Sequence, residues 1–159
     1  AGALQGRTNI YSRLVSHYME SGDEEKMIER LEQWRQISPE DLRSRLALGK
    51  IYLGKGDEES TAKAVKVLDE VIFINPFDLK LHKELARAAS SSGAHEISIR
   101  EYKLLLTYPE TNPRTAYLAL AKACLGLGDK KEAASFARKV LGIDGENAEA
   151  KKILEQSGK

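Results

Sequence analysis

Apolar residues recur at intervals of three and four along most of the chain, in segments separated by short polar turns. This spacing places the apolar side chains on one face of an α-helix. The signals of strands, sustained two-residue alternation and Asn-Gly hairpin turns, are absent from the sequence. The pattern therefore predicts an all-α chain.

The helical segments repeat. Turn glycines stand at positions 22, 56, 93 and 128, so their spacings are 34, 37 and 35, and a leucine stands eight residues before each of them. Each unit has the order helix, tight turn, helix and short link, which is typical of a stacked helical repeat. We predict a single domain over 8–157, preceded by a disordered segment or linker remnant at 1–7. Its parts are four units at 8–41, 42–78, 79–113 and 114–147 and a capping helix at 147–157.

Residues around the turns and links predict where helices begin. Asp23, Asp57 and Asp129 follow the turn glycines and are suited to capping the next helix. Ser38-Pro39, Asn75-Pro76 and Asn112-Pro113 each combine a capping side chain with a proline suited to the first helical position, so we expect a helix to begin at each. The third turn has Ala94 in place of the aspartate and follows three serines, which predicts that residues 90–95 form the most mobile turn.

When the units are aligned, one position holds small or slim residues and other positions hold large ones. Val15, Gly49, Ala86 and Ala121 should let the two helices of each unit approach closely. Leu31, Leu68 and Tyr102 should then fill the space between them. Trp34, Val71, Leu105 and Val140 are expected to pack one unit against the next.

The second unit contains Leu48-Gly49 and Tyr52, then Gly56-Asp57, Ala64, Leu68 and Pro76. This set resembles the tetratricopeptide repeat, whose signature is W-x2-L-G-x2-Y, A-x3-F and P. The chain departs from that signature in three ways. Arg45 and His82 occupy the Trp position, the second unit is three residues longer, and Gly145 replaces the last proline. The resemblance implies an all-α solenoid, a right-handed superhelix of antiparallel helix pairs, that is a non-catalytic scaffold for protein binding.

In tetratricopeptide proteins, the first helices of the units line a concave groove that holds a peptide. The resemblance assigns the peptide-binding role to the equivalent positions of this chain, which hold Asn9, Arg13, Arg43, Leu46, Lys50, Lys80, Lys83, Arg87, Leu118 and Lys122. Seven of these residues are cations, against two acids on the same face, Glu20 and Glu84, in a chain whose formal net charge is only +1. We therefore expect a basic groove that binds an acidic peptide, extended or helical, or a free C-terminal carboxylate. The alternative is that these cations are ordinary solvated surface.

The sequence gives little support to nucleic-acid binding, nucleotide binding, metal binding or catalysis. A near-zero net charge argues against a globally basic nucleic-acid-binding protein, and the groove lacks aromatic residues for stacking RNA bases. The segment from Gly49 to Gly56 approaches a Walker A loop but ends in Gly where magnesium binding needs Ser or Thr. His17, His82 and His95 lack metal-ligand spacing, and the single cysteine excludes an internal disulfide. We predict no catalytic residue, no metal and no cofactor.

We expect a soluble protein, cytoplasmic or periplasmic, with a protein or peptide partner, no nucleic acid and no membrane insertion. The carboxylate clamp of chaperone-binding relatives is not reproduced, because Ser12, Ser16 and Glu84 stand at its positions. An alternative function is an accessory module of a larger enzyme that contacts its own catalytic domain. The Asn-Pro-Phe-Asp link at 75–78 is reminiscent of repeat arrays that follow bacterial metallopeptidase domains. Self-association through the uncapped first unit is a further possibility.

Overall fold

The structure is a computed structural model and describes residues 13, 14, 16–18 and 20–158. Residues 13, 14, 16–18, 20 and 21 are helical. Eight helices follow: α1 (Glu24–Ile37), α2 (Leu42–Lys55), α3 (Glu58–Ile74), α4 (Leu79–Ser91), α5 (His95–Leu105), α6 (Pro113–Gly126), α7 (Lys130–Ile143) and α8 (Ala148–Gln156). No strand occurs among the described residues, so the predicted all-α class is confirmed. The predicted segment 1–7, Asn9 and the start of the first unit lie outside the described residues.

Each helix packs mainly on its neighbours in sequence. The closest pairs are α2 with α3, α4 with α5 and α6 with α7, and each pair packs on the next through α3 with α4 and α5 with α6. The helix α8 covers α7 and also contacts α6. Contacts confined to neighbours are the mark of a solenoid. Within the described part of the chain, no helix combines the length and apolar character needed to cross a membrane.

The turns within the units contain the glycines and the aspartate caps that the sequence predicts. Each of the four turn glycines has a φ between 71° and 79°, a left-handed conformation that favours glycine. The carboxylates of Asp23, Asp57 and Asp129 accept hydrogen bonds from backbone N–H groups three residues on, so all three are helix caps. Ala94 at the equivalent position of α5 makes no side-chain cap.

Two of the three predicted helix starts are wrong. Ser38 and Asn75 end helices instead of beginning them, since their N–H groups donate to the carbonyls of Trp34 and Val71 in the last turns of α1 and α3. The next helices begin at Leu42 and Leu79 and are capped by Asp41 and Asp78. Both prolines therefore lie in the links. Asn112-Pro113 does begin α6, with Asn112 as the cap.

The packing positions are confirmed where the structure describes them. Gly49, Ala86 and Ala121 are fully or almost fully buried between paired helices. The large residues predicted to fill and seal the units are at most 8% exposed: Leu31, Leu68, Tyr102, Trp34, Val71, Leu105 and Val140. Burial of these side chains supplies most of the stability of such a stack, because helices of this length are marginal alone.

The second unit carries one additional helical turn. Helix α3 has 17 residues, whereas α1 and α7 have 14 each. The small residue Ala64 lies seven residues after the cap Asp57, whereas Ala133 lies four residues after the cap Asp129. The extra turn is therefore at the start of α3. The loop at Gly56 also lacks the closing bond that Asp129 N–H makes to the Cys124 carbonyl in the fourth unit.

Candidate functional site

The residues at the tryptophan position of the signature are buried and polar. Arg45 is 6% exposed and donates to Glu70 Oε2 from Nε at 2.9 Å and to the Asp41 carbonyl from a terminal nitrogen at 3.0 Å. His82 is 4% exposed and donates from Nε2 to the Pro76 carbonyl at 3.0 Å, while its Nδ1 lies 2.5 Å from Glu101 Oε2. Each side chain thus ties the preceding link to the second helix of its own unit.

These contacts make Arg45 and His82 part of the scaffold. A buried charge is tolerated only when it is paired and hydrogen-bonded, and both residues meet that condition. In the fourth unit the same position holds Tyr117, whose ring stacks on Phe136 with centroids 6.2 Å apart.

Several cations outside the predicted groove positions are paired within the chain. Arg35 contacts Glu70 at 2.6 Å, Arg100 pairs with Asp69, and Arg114 lies 3.3 Å from Asp144. Burial tends to lower the pKa of Arg35, but its hydrogen bonds to Glu32 and Glu70 outweigh that effect and raise it. The first two pairs join neighbouring units, and the third lies within the fourth unit.

The predicted groove cations behave differently. Arg43, Lys50, Lys80 and Arg87 are exposed and Lys83 is half-buried, and none of the five forms an ion pair with any described residue. Exposed Arg13 is likewise unpaired among the described residues. We call the five cations on α2 and α4 the groove cations.

Lys122 is the exception among the predicted cations. Its Nζ lies 2.8 Å from Glu149 Oε1 on the capping helix. The two side chains are 48% and 59% exposed, so the pair is solvated and weak, but it occupies the Lys122 charge. Lys122 is therefore paired through the capping helix.

An apolar depression lies between α1 and α2. It has a volume of about 350 Å³ and is lined by Met27, Leu31, Leu46, Ala47 and Ile51, with Arg43 and Lys50 as its only charged lining residues among those described. The predicted residues Arg43, Leu46 and Lys50 are thus brought together. An apolar depression bordered by two cations suits an apolar side chain next to a carboxylate.

A basic depression lies between α4 and α6. Lys83 and Arg87 line it together with the buried Tyr102, Leu105 and Ala116, and its volume is about 240 Å³. Its remaining lining residues come from the link before α6 and the first turn of that helix: Glu110, Thr111, Asn112 and Thr115. Burial raises the pKa of Tyr102, and Arg87 opposes this only in part, so the phenol keeps its proton at neutral pH.

A notch of about 480 Å³ lies on the other side of α4. It is lined by Leu53, Gly56 and Thr61 at the lengthened turn of the second unit and by Glu84, Arg87, Ala88 and Ser91 on α4. Arg87 therefore borders both the basic depression and the notch. The extra turn of α3 brings Thr61 to this edge.

The remaining predicted residues lie apart from these depressions. Lys80 is exposed on the first turn of α4 and lines none of the three, and half-buried Leu118 packs against the core of the last two units. Asn9 lies outside the described residues.

Sequence reasoning missed Tyr102, Glu110 and Asn112 as lining residues, because it considered only the first helices. Thr115 occupies a groove position of the fourth unit and could have been found by the repeat alignment.

Comparison with known proteins agrees with this architecture. The family model of the tetratricopeptide repeat matches residues 115–147. No curated protein sequence matches the chain. Among solved structures, a MamA protein is 17% identical with a TM-score of 0.58, and the alignment covers 99% of this chain and 91% of that one.

Two further structures show the same fold. The tetratricopeptide domain of Arabidopsis OM64 is 20% identical over 73% of this chain and 95% of its own, with a TM-score of 0.53. Tetratricopeptide-like repeats of a putative kinesin light chain from Podosopora anserina are 21% identical over 96% and 87%, with a TM-score of 0.54. The described chain is an all-α solenoid of helix pairs. Residues 115–147 match the tetratricopeptide repeat, and the described chain shares the fold of these solved structures.

Proposed function

We propose that this chain is a scaffold that captures an acidic segment of another protein in its basic groove. The observation that carries the proposal is that all five groove cations are unpaired among the described residues, whereas most of the other described cations form ion pairs. Acidic side chains would complete the charge-assisted hydrogen bonds that the groove cations lack. The same charges would accelerate association by electrostatic steering.

The groove chemistry favours a protein segment over RNA. The described lining of the three depressions contains one aromatic residue, Tyr102, which is 8% exposed. Sequence-tolerant binding of single-stranded nucleic acid depends on exposed aromatic rings that stack on the bases. The apolar depression at Leu46 and Ala47 instead suits aliphatic side chains.

A display library of random 12-residue peptides tests the proposal. We expect the selected peptides to be enriched in Asp and Glu, and the double variant Lys83→Glu/Arg87→Glu to bind the best of them at least about tenfold more weakly. The control is Lys131→Glu/Arg138→Glu, which makes the same charge change at two exposed, unpaired cations of α7. Equal affinity of the groove variant and the wild type would refute the proposal.

Ionic strength provides an independent readout. At 0.5 M salt the Debye length falls below about 5 Å, so binding held by exposed charges should weaken strongly. A selected peptide whose affinity does not change between 0.05 M and 0.5 M salt would not be held by the groove cations.

A second candidate is an accessory module that contacts a catalytic domain of a larger protein. The observation that favours it is a pair of exposed aromatic side chains, Phe73 at 77% and Phe77 at 89%, at the end of α3 and in the link that follows. Exposed apolar clusters mark interaction surfaces. If the gene encodes a catalytic domain in the same reading frame, Phe73→Ser/Phe77→Ser should weaken its association with this chain, and the groove variant should not. Self-association through the first unit is tested by the molar mass of the chain in solution.

A further inference from the structure

We propose that His82 and Glu101 together hold one proton more than a neutral histidine and an ionised glutamate, and that this proton fixes the link 75–78 to α5. The junction between the second and third units is then a pH-sensitive element of the solenoid. The proposal follows from the hydrogen-bond partners of the His82 ring and from the burial of the pair.

Both ring nitrogens of His82 face oxygen atoms. Nε2 lies 3.0 Å from the carbonyl oxygen of Pro76, which can only accept, and Nδ1 lies 2.5 Å from Glu101 Oε2. A neutral imidazole has a single N–H and can donate only one hydrogen bond. The second contact therefore needs a further proton, carried either by the ring or by the Glu101 carboxyl group. The pair holds the same number of protons in both cases.

The balance of buried charge also requires that proton. Glu101 is 1% exposed and His82 is 4% exposed, so an uncompensated charge on either is costly. Arg100 Nε donates to Glu101 Oε1 at 2.7 Å, but Arg100 also pairs with Asp69 on α3. With the additional proton, the two basic side chains balance the two acids. Without it, the group has a net negative charge.

Charged groups of the adjoining segments have other partners. Asp78 in the link caps α4 by accepting from a backbone N–H of that helix, and Glu70 on α3 pairs with two arginines. No hydrogen bond or ion pair between described side chains joins His82 or Glu101 to the other charged residues of α4 and α5: Lys80, Lys83, Glu84, Arg87, Glu96 and Lys103. The proton is therefore held by the pair alone.

The contacts of the pair form a closed chain around the junction of the second and third units. They run from Asp69 on α3 to Arg100 and Glu101 on α5, then to His82 on α4 and to Pro76 in the link that follows α3. Release of the proton removes one of the two hydrogen bonds of the His82 ring and leaves a buried carboxylate without its partner. We therefore expect the junction to weaken as pH rises.

Glu101→Gln removes the additional proton and retains the hydrogen bonds. The glutamine amide can donate to Nδ1 of His82, and its oxygen can accept from Arg100 Nε. Neutral His82 still donates to the Pro76 carbonyl. Glu155→Gln makes the same chemical change at an exposed residue of α8 and is the matched control.

Wild type and Glu101→Gln should respond to pH in opposite ways. A histidine in an unfolded chain loses its proton near about pH 6.5. Above that pH the folded wild type binds one proton more than its unfolded chain, so its unfolding constant should rise about tenfold per pH unit. Below that pH the folded variant binds one proton fewer than its unfolded chain, so its unfolding constant should rise as pH falls.

Urea unfolding of the complete 159-residue chain measures this difference. Between about pH 5 and 8.5, the ratio of the wild-type unfolding constant to that of Glu101→Gln should rise about tenfold per pH unit, at least about 100-fold in total. Groups that titrate alike in both proteins cancel in this ratio. Glu155→Gln should follow the wild type.

Parallel pH dependence of wild type and Glu101→Gln above about pH 6.5 would overturn the proposal, because the folded pair would then hold no additional proton. If Glu101→Gln does not fold, NMR of the wild type at neutral pH decides. Protonation of both His82 ring nitrogens, or of the Glu101 carboxyl group, would support the proposal. A neutral His82 ring beside an ionised Glu101 would overturn it.

Discussion

Gly49 of α2 lies directly against Leu68 of α3. A Cβ atom at position 49 would lie 2.9 Å from Leu68 Cγ and closer still to one of its methyl carbons. Leu68 is 2% exposed and has little room to move. The absence of a side chain at 49 is therefore what allows the two helices of the second unit to pack at their observed separation.

Gly49→Ala should destabilise the chain by about 1 kcal/mol. Overpacking costs about 1–3 kcal/mol, and the better helix propensity of alanine returns up to about 1 kcal/mol. Gly54→Ala in the same helix is the matched control, because nothing lies within 4 Å of its added Cβ, and it should stabilise the chain. Urea unfolding measures both. Equal stability of the two variants would contradict the packing assigned to Gly49.

Cys124 should react slowly with alkylating reagents. Burial, assisted by the nearby Glu132 carboxylate, raises the pKa of its thiol from 9.0 to about 11. At pH 8 the folded chain then holds roughly a hundredth of the thiolate of an unfolded chain, so iodoacetamide should react about 100-fold more slowly in buffer than in guanidinium chloride. Mass spectrometry follows the modification. Comparable rates in the two solvents would show that the thiol is accessible and unperturbed.

The same pKa shift makes stability depend on pH. Between about pH 9 and 11 the unfolded chain has lost the Cys124 proton and the folded chain keeps it, so the contribution of this group falls as pH rises. The free energy of unfolding should therefore fall less between about pH 9 and 11 in Cys124→Ala than in the wild type, as measured by urea unfolding at each pH.

Ala94→Asp should stabilise the chain by about 1 kcal/mol, the usual effect of a helix N-cap. Ala94 starts α5 without a side-chain hydrogen bond, whereas Asp129 caps α7 by accepting from the Glu132 N–H at 3.0 Å. Asp129→Ala is the reciprocal variant and should cost a similar amount. Hydrogen exchange should show amides 90–95 exchanging faster than those of the other turns in wild type and more slowly in Ala94→Asp. Slow exchange at 90–95 in wild type would contradict the prediction of a mobile turn.

Glu149→Gln should raise the affinity for acidic peptides by about two- to fivefold. It releases Lys122 from its 2.8 Å ion pair and adds one free cation to the groove. Glu155→Gln makes the same charge change on an exposed residue of α8 that forms no ion pair with described residues, and it should have a smaller effect. Titration with an acidic peptide at low salt distinguishes the two. An equal effect of both variants would mean that only the net charge matters.

The sequence by itself determined the repeat. Turn glycines, capping aspartates and the alternation of small and large residues act through neighbouring parts of the chain, so a one-dimensional pattern predicts them. Where two nearby residues could both cap a helix, the sequence pattern did not show which of them does. Ser38 and Asp41 are both good caps, and the preceding helix decided between them by extending to Ile37 and using the Ser38 N–H.

The tertiary structure alone decided which charges are free. Lys122 and Glu149 are 27 residues apart and Arg100 and Asp69 are 31 apart, and these pairs meet because neighbouring units stack at a particular angle. The placement of Glu110 and Asn112 beside Lys83 likewise depends on how the link before α6 folds back. Periodicity specifies which face a side chain occupies. Which partner it meets across that face depends on the three-dimensional arrangement of whole units.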